Sequence, residues 1–207
     1  MNKTIVDKYF DLSEYQREKI YQLIDVYSFW NQKVNLISRK DFQYFYERHV
    51  LHSLSICKVF SFNLGTNIMD LGTGGGFPGI PLAIMFPDVN FYLVDSITKK
   101  TDVVASIVKD LKLKNVTILN QRAENIDDQF HFIFVRAVAR LDKLISWTKD
   151  KICDEHNHDF QNGLICLKGG DLKDELANIP FPVLQYQISD FFQEDFFLEK
   201  KIIYLSK

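Results

Sequence analysis

Asn67-Ile68-Met69-Asp70-Leu71-Gly72-Thr73-Gly74-Gly75-Gly76-Phe77-Pro78-Gly79-Ile80-Pro81 is the stretch that decides the fold of this 207-residue chain. Its apolar run ends abruptly at glycines, and Pro78 suits a first helical turn, where its missing N–H costs nothing. Glycines allow a turn to bring bare backbone amides close to a ligand. The N-terminus of the following helix would add partial positive charge. The stretch therefore predicts a buried strand, a ligand-binding turn and a helix rather than a flexible loop.

The glycine-rich turn is compatible with two classes of cofactor. Residues 74–79 satisfy G-x-G-x-x-G, which would indicate a nicotinamide- or flavin-dependent oxidoreductase. Asp70 is not part of that fingerprint, and Asp-Leu-Gly-Thr-Gly-Gly-Gly resembles the first motif of class I methyltransferases, which bind S-adenosylmethionine. The next predicted strand ends at Asp95, which is placed to accept hydrogen bonds from both ribose hydroxyls of either cofactor. The alternative for Asp95 is an ordinary turn residue.

The composition favours a cytoplasmic protein with a sizeable core. Hydrophobic residues make up 46% of the chain, and the net charge of −2 gives no general attraction to nucleic acid, although a local basic face is compatible with it. Three widely spaced cysteines predict reduced thiols. No signal peptide and no membrane span are expected. His156 and His158 flank Asn157, but the spacing of His and Cys residues does not favour a metal site.

The chain divides into two parts in this interpretation. Residues 1–60 are predicted to form a helical extension, in which Ser13 begins a capping box and Asp41 caps a later helix. Residues 61–207 are predicted to form the cofactor-binding domain, in which short apolar strands alternate with helices. The predicted strands span 68–71, 91–95, 116–119, 132–135, 164–167, 183–188 and 197–205.

The alternation predicts an α/β fold with a mostly parallel sheet. No helical stretch separates the last two strands, so they form a hairpin and one terminal strand must run antiparallel to the others. A dinucleotide-binding fold would need a second βαβαβ unit, for which too little chain remains. The pattern therefore favours the methyltransferase over the oxidoreductase.

Further motifs narrow the resemblance to one family. They lie at 30–36, 48–53, 72–81, 95–96, 121–124, 135–141 and 167–169. In this order they resemble the bacterial RsmG (GidB) family, whose members methylate N7 of a guanine in 16S ribosomal RNA. The likeness extends from about residue 13 to the end of the sequence. It departs from the family at His52, where the family usually has Asp, and at Val135, where it often has Ser.

The resemblance implies a set of site residues. Contacts to S-adenosylmethionine are expected from Gly72, Gly74, Phe77, Asp95, Ala123, Glu124 and Arg136. Asp95 would hold the ribose, and Ala123 and Glu124 would lie beside the adenine. Arg136 would lie close to the cofactor and the target base and is the expected catalytic residue. Contacts to RNA are expected from Arg48, Arg122 and Lys168.

The residues themselves leave alternatives open. Arg136 follows an apolar strand, so it lies at the carboxyl end of the sheet, where ligands of open α/β sheets bind; alternatively, it is a surface arginine paired with a carboxylate. Arg122 and Glu124 are equally compatible with a simple ion pair. Arg48, next to His49 on an aromatic-rich helix, is compatible with a buried pair, and Phe77 with core packing. Lysine pairs at 99–100 and 200–201 are compatible with either RNA contact or solvated charge.

The implied reaction needs no general base. A sulfonium methyl group is already activated, and guanine N7 has an in-plane lone pair and no proton. Alignment of the two reactants can contribute ~7–11 kcal/mol. Because positive charge moves onto the guanine, Arg136 is assigned to positioning. The expected partner is 16S ribosomal RNA or a small-subunit particle, and the expected state is a monomer; a non-catalytic RNA-binding module is the third hypothesis.

Overall fold

The computed structural model describes residues 2–155, 157–177, 179–180 and 182–207. These residues form a sheet of seven strands. The strands are β1 (Asn67–Leu71), β2 (Asn90–Asp95), β3 (Val116–Asn120), β4 (Phe132–Arg136), β5 (Gly163–Gly169), β6 (Val183–Gln187) and β7 (Lys200–Ser206). Their order across the sheet is β3-β2-β1-β4-β5-β7-β6. The first five strands pair in parallel, and β7 pairs antiparallel with both β5 and β6.

The predicted α/β architecture is confirmed, including the antiparallel C-terminal hairpin. The last strand starts later than predicted, at Lys200 instead of residue 197, because Asp195–Phe197 winds into a 3-10 turn that buries Phe197. The strand order changes direction between β1 and β4, which lie side by side. Crevices for ligands form at such a point, outside the carboxyl ends of the strands.

Helices cover both faces of the sheet. The α-helices are α1 (Glu14–Lys33), α2 (Arg39–Phe42), α3 (His52–Leu54), α4 (Gly79–Met85), α5 (Thr98–Asp110), α6 (Leu141–Thr148) and α7 (Lys173–Leu176). A π-helical segment, Phe45–Leu51, leads directly into α3. Short 3-10 turns form at Lys3–Ile5, Ser55–Lys58, Ala123–Asn125, Ile188–Asp190 and Asp195–Phe197.

The predicted capping signals are confirmed at one helix and wrong at another. At α1 the Ser13 hydroxyl accepts from the Gln16 amide at 3.2 Å, and the Gln16 side chain accepts from the Ser13 amide at 2.9 Å, which is the predicted capping box. Asp41 is not a cap. Ser38 caps α2 by accepting from the Asp41 amide, and the Asp41 carboxylate instead pairs with Arg48 at 3.0 Å.

The two faces of the sheet carry separate cores. On one face, strand residues such as Phe91 and Phe134 pack with the N-terminal helices, α4 and α5. On the other, Met69 and Val135 pack with α6. The helical residues 1–60 share this first core with the sheet. The boundary predicted at residue 60 thus marks a change from helices to an alternation of strands and helices. That it divides the chain into two domains remains a prediction. Within the described residues no helix is long and apolar enough to cross a membrane.

Candidate active site

A cavity of about 630 Å³ opens at the carboxyl ends of the central strands. Nine of the ten predicted site residues line it: Arg48, Gly72, Gly74, Phe77, Asp95, Arg122, Ala123, Glu124 and Arg136. Lys168 is the exception. The cavity wall runs across the sheet from the ends of β3, β2 and β1, past β4, to the start of β7. The structure therefore brings together predicted site residues that are up to 88 positions apart, from Arg48 to Arg136.

Glycine is required in the turn after β1 for two different reasons. Gly72 has φ +69°, and a Cβ there would lie 2.5 Å from the Val138 side chain. Gly74 has φ +58°, but a Cβ there would meet only the Gly72 carbonyl oxygen, at 3.9 Å. Both positions need a backbone conformation that other residues rarely adopt. At Gly72 the neighbouring protein also excludes a side chain, whereas at Gly74 the space is open.

Two carboxylates hold the turn in place. Asp70, fully buried, accepts from the Thr73 hydroxyl at 2.6 Å and from the Gly79 amide at 2.8 Å through the same oxygen. Asp95 accepts from the Gly74 amide at 3.0 Å and from the Ile97 amide at 2.9 Å. Each carboxylate oxygen can accept more than one hydrogen bond. Asp95 can therefore both support the turn and receive a ribose hydroxyl.

The N-terminal helix α1 also contacts the glycine turn. The hydroxyl of the buried Tyr27 donates to the Gly75 carbonyl oxygen at 2.6 Å. Phe77 is only 2% exposed, and its ring lies 5.0 Å from the Tyr27 ring and 5.9 Å from the Phe45 ring. The ring thus takes part in core packing, and its predicted contact with a cofactor remains a prediction. Tyr27 was not predicted as a site residue, because its hydroxyl acts on a residue 48 positions away in the sequence.

Arg136 is held by the N-terminal region and has no carboxylate partner among the described residues. Its Nη1 donates to the Arg48 carbonyl oxygen and its Nη2 to His49 Nδ1, both at 3.3 Å. The guanidinium lies 5.1 Å from the centre of the Phe77 ring. Burial lowers the pKa of Arg136 to about 10, so the group is charged near neutral pH. The alternative of a surface ion pair is wrong.

The histidine beside Arg136 is neutral. Burial, together with the Arg136 charge, lowers the pKa of His49 to about 3. Its Nδ1 accepts from Arg136, so the ring proton is assigned to Nε2, which is buried and has no partner among the described residues. Arg48 pairs with Asp41 and lies 3.8 Å from the Tyr44 ring centre. Arg48 and His49 therefore do not form the buried pair that was considered.

The segment after β3 contributes the far end of the cavity. Ala123 is buried at the start of a 3-10 turn, Ala123–Asn125, while Arg122 and Glu124 are exposed on either side of it. No ion pair joins Arg122 to Glu124 within the described ranges. Both charged side chains are therefore available to a ligand, and their roles remain predictions.

Lys168 holds the loop that follows β4. Its ammonium donates to the Ala139 carbonyl oxygen at 2.7 Å and pairs with Glu175 at 2.9 Å. The same Glu175 oxygen accepts from the Leu141 amide at 3.1 Å, so the pair fixes the start of α6. This loop carries Val138, which packs on Gly72. The charge of Lys168 is thus already paired with Glu175. Its expected contact with RNA remains a prediction.

Metal ligands are not gathered in the part of the chain that the structure describes. No group of three or more His, Cys, Asp or Glu residues there has the arrangement of a metal site. His156, one of the two histidines weighed as a ligand, lies outside the described residues. Cys57, Cys153 and Cys166 are free thiols, as predicted.

Asp70 predicts a pH dependence of stability. Burial raises its pKa from 3.8 to about 6, so the folded protein binds this proton more tightly than the unfolded chain. The free energy of unfolding should therefore fall as the pH rises from about 4 to about 6, and this contribution should level off above that. Asp70→Asn keeps an acceptor for Thr73 and Gly79 but cannot ionise.

Urea unfolding of both proteins in steps between about pH 4 and 8 tests this. The stability of Asp70→Asn relative to the unsubstituted protein should increase through the interval and then remain constant. Parallel curves for the two proteins would contradict a raised pKa at Asp70.

Comparison with known families identifies relatives along almost the whole chain. The GidB family, described as rRNA small subunit methyltransferase G, matches residues 16–195. A ribosomal RNA small subunit methyltransferase G of Flavobacterium johnsoniae is 49% identical over 199 residues, which cover 96% of this chain and 95% of the relative. A protein of the same name from Bacteroides thetaiotaomicron is 49% identical over 201 residues, covering 97% and 98%.

Solved structures show the same fold at low sequence identity. A SAM-dependent methyltransferase from Aquifex aeolicus superposes with a TM-score of 0.58 at 16% identity, covering 82% of this chain and 98% of that one. An rRNA methylase from Streptococcus thermophilus superposes with a TM-score of 0.52 at 13% identity, covering 76% and 94%. The predicted class I methyltransferase fold is confirmed.

Proposed function

Because the chain belongs to the ribosomal RNA small subunit methyltransferase G family, we propose that it transfers the methyl group of S-adenosylmethionine to N7 of a guanine in 16S ribosomal RNA. The observation that carries this proposal is the place of Arg136. Arg136 ends β4. On one side of β4 lie β1, β2 and β3, which lead to the glycine turn, Asp95 and Ala123; on the other side lie β5 and β7, and Lys200 begins β7. Arg136 thus lies between a half of the cavity suited to a nucleoside and a half that is basic and aromatic.

The residues present fit S-adenosylmethionine. The cavity is within the usual size range of small-molecule sites. Gly72 and Gly74 would let the backbone approach the methionine end, and Asp95 would receive the ribose hydroxyls. Ala123 and Glu124 would lie against the adenine. When bound, the cofactor supplies a methyl group that is already activated by its sulfonium.

The protein's part in the reaction is alignment. Guanine N7 carries no proton, so the transfer needs no general base. Two titratable groups that interact with Arg136 have structural contacts instead: His49 is neutral and accepts from Arg136, and Asp70 accepts from Thr73 and Gly79. The Arg136 fork, fixed by Arg48 and His49, would orient the guanine through O6 while leaving N7 free. The buried aromatic packing beneath it would keep the fork rigid and water out. Correct orientation of this kind can supply ~7–11 kcal/mol.

The biological setting follows from the substrate. A small-subunit RNA in a bacterium would place the protein in the cytoplasm, and we expect the protein to act as a monomer. RNA contact would come from local basic residues, because the net charge is −2. Affinity for the RNA should therefore fall with increasing salt as counterions are released, while cofactor affinity changes far less.

Methyl transfer can be tested directly. Purified protein is incubated with methyl-tritiated S-adenosylmethionine and either 16S ribosomal RNA or small-subunit particles, and the labelled nucleotide is then mapped. We expect label at N7 of one guanine, because a site that relies on alignment accepts one geometry. In parallel, S-adenosylhomocysteine should raise the melting temperature and NAD should not.

The other hypotheses give different results in the same assays. RNA binding without transfer of label would support the non-catalytic module. Stabilisation by NAD instead of S-adenosylhomocysteine would support an oxidoreductase. Label on a different base atom would keep the methyltransferase but contradict N7 as the target.

A further inference from the structure

We propose that Lys200 and Arg48, which both lie against the ring of Phe196, bind a phosphate of the RNA nucleotide that is being methylated. This inference rests on the proposed function and names the substrate contacts of the basic half of the cavity. Phe196 precedes β7 and is half-buried in the cavity wall. The Lys200 ammonium lies 4.9 Å and the Arg48 guanidinium 5.4 Å from the centre of its ring.

The two cations beside Phe196 differ in how the described part of the protein pairs them. Lys200 has no ion pair among the residues that the structure describes, and Arg48 has one, with Asp41. The Nε of Arg48 is buried without a hydrogen-bond partner within the same residues. Glu47 also interacts electrostatically with Arg48, so the ammonium of Lys200 is the cation on this ring that remains available to an anion. A wall of this kind fits an anion, and the phosphates of RNA are anions that any nucleotide entering the cavity must bring with it.

Gly169 gives Lys200 its position. The two residues are partners in the β5–β7 pairing, and a Cβ at Gly169 would lie 2.8 Å from the Lys200 ammonium and 3.1 Å from its Cδ. The Lys200 side chain therefore lies across the backbone of Gly169, and the methyl group of an alanine at position 169 would displace it. Gly169 does not have a positive φ, so its lack of a side chain matters for this contact and not for the conformation of the turn.

A cofactor carboxylate is the competing anion, and its distance argues against it. Asp95, the expected ribose acceptor, ends β2, and Lys200 begins β7, which is four strand spacings away in the sheet. At ~4.8 Å per spacing this is roughly 19 Å. The methionine arm of S-adenosylmethionine has only about six bonds between ribose and carboxylate, each near 1.5 Å. The phosphate of the target nucleotide, on the far side of Arg136, fits the position better.

The neighbouring lysine provides a matched control. Lys201 has the same chemistry and follows Lys200 directly, but successive residues of a strand point to opposite faces, and Lys201 does not line the cavity. The structure thus distinguishes two lysines that the sequence presents as an equivalent pair. Lys200→Met and Lys201→Met each remove one charge and keep most of the apolar stem.

Steady-state methylation of 16S ribosomal RNA tests the proposal with Lys200→Met, Lys201→Met and Gly169→Ala. We expect Lys200→Met to raise KM for RNA about tenfold, the effect of losing a hydrogen bond to a charged group. The slope of log affinity against log salt should become shallower by about one. Gly169→Ala should raise KM in the same direction, because it displaces the same ammonium. Lys201→Met should change neither quantity, and calorimetry should give all variants the same affinity for S-adenosylhomocysteine.

The outcomes separate this proposal from the proposed function. An active unsubstituted protein with equal effects from Lys200→Met and Lys201→Met would overturn the phosphate site alone. Weaker binding of S-adenosylhomocysteine to Lys200→Met, with KM for RNA unchanged, would assign the site to the cofactor carboxylate and also overturn it. An unsubstituted protein that binds S-adenosylhomocysteine but never methylates RNA would overturn both proposals.

Discussion

Arg136→Ala should lower the rate of methyl transfer by about 100-fold or more. In the proposed site the guanidinium orders the cofactor and the guanine relative to each other, and a small misplacement at a reacting centre costs this much. Arg136→Lys should restore little of the rate, because one ammonium cannot reproduce a planar fork that donates to both the Arg48 carbonyl and His49. Single-turnover measurements with saturating cofactor and RNA give the rate directly.

Two measurements accompany the Arg136 variants. The packing of the guanidinium on Phe77 means that alanine will also lower the melting temperature somewhat, so rates are taken well below it. The rate of the unsubstituted protein should be level between about pH 7 and 9, because the pKa of His49 is lowered to about 3, that of Asp70 raised to about 6 and that of Arg136 lowered to about 10. A fully active lysine variant, or a rate controlled by a group near pH 8, would refute positioning by Arg136.

Gly74→Val should abolish measurable binding of S-adenosylhomocysteine. Gly74 has φ +58°, and a Cβ there would meet no protein atom closer than the Gly72 carbonyl oxygen at 3.9 Å. A branched side chain would therefore occupy cavity space that the cofactor needs, and it would strain the backbone that presents the Gly74 amide to Asp95. Calorimetric titration should show a loss of at least about 100-fold in affinity. Two effects cause it: the valine side chain fills part of the cavity, and a non-glycine residue strains the backbone at this positive φ.

Gly65→Val separates strain from occupation of the cavity. Gly65 also has a positive φ, +78°, and a Cβ there would have no neighbouring atom within 4 Å, but the residue is in the loop before β1 and does not line the cavity. Its substitution should cost similar stability and leave cofactor affinity unchanged. If Gly74→Val folds and binds S-adenosylhomocysteine normally, the turn is not the cofactor site.

Local signals predicted most of the fold. The strand before the glycine turn, the capping box at Ser13 and the terminal hairpin each depend on residues close together in sequence, and each is confirmed. The cap at Asp41 was wrong because Asp41 lies inside α2, where its amide donates to the Ser38 hydroxyl. The π-helical segment that follows begins after Tyr44 and has no side-chain cap. Local patterns cannot decide between Ser38 and Asp41 when both are good capping residues.

The candidate site was predictable only in part. Nine of its residues follow strands or belong to family motifs, which place them at one edge of the sheet. The contacts that hold the predicted site residues and the glycine turn are long-range: His49 with Arg136, Tyr27 with Gly75, and Lys168 with the Ala139 carbonyl oxygen. Whether a basic side chain is free for RNA or already paired depends on such contacts. Residue type and position along the chain do not reveal them.

The order of strands in the sheet has a consequence for synthesis on the ribosome. β7 follows β6 in the chain but lies between β5 and β6, so β6 pairs only with a strand that is made after it. A nascent chain that has emerged as far as Gln187 can already assemble the parallel strands and the glycine turn. It lacks Lys200, and β5 still presents an unpaired edge, which is open to association with other chains. The nucleoside half of the cavity can thus form before the basic half. The late insertion of β7 between β5 and β6 completes both the sheet and the cavity wall.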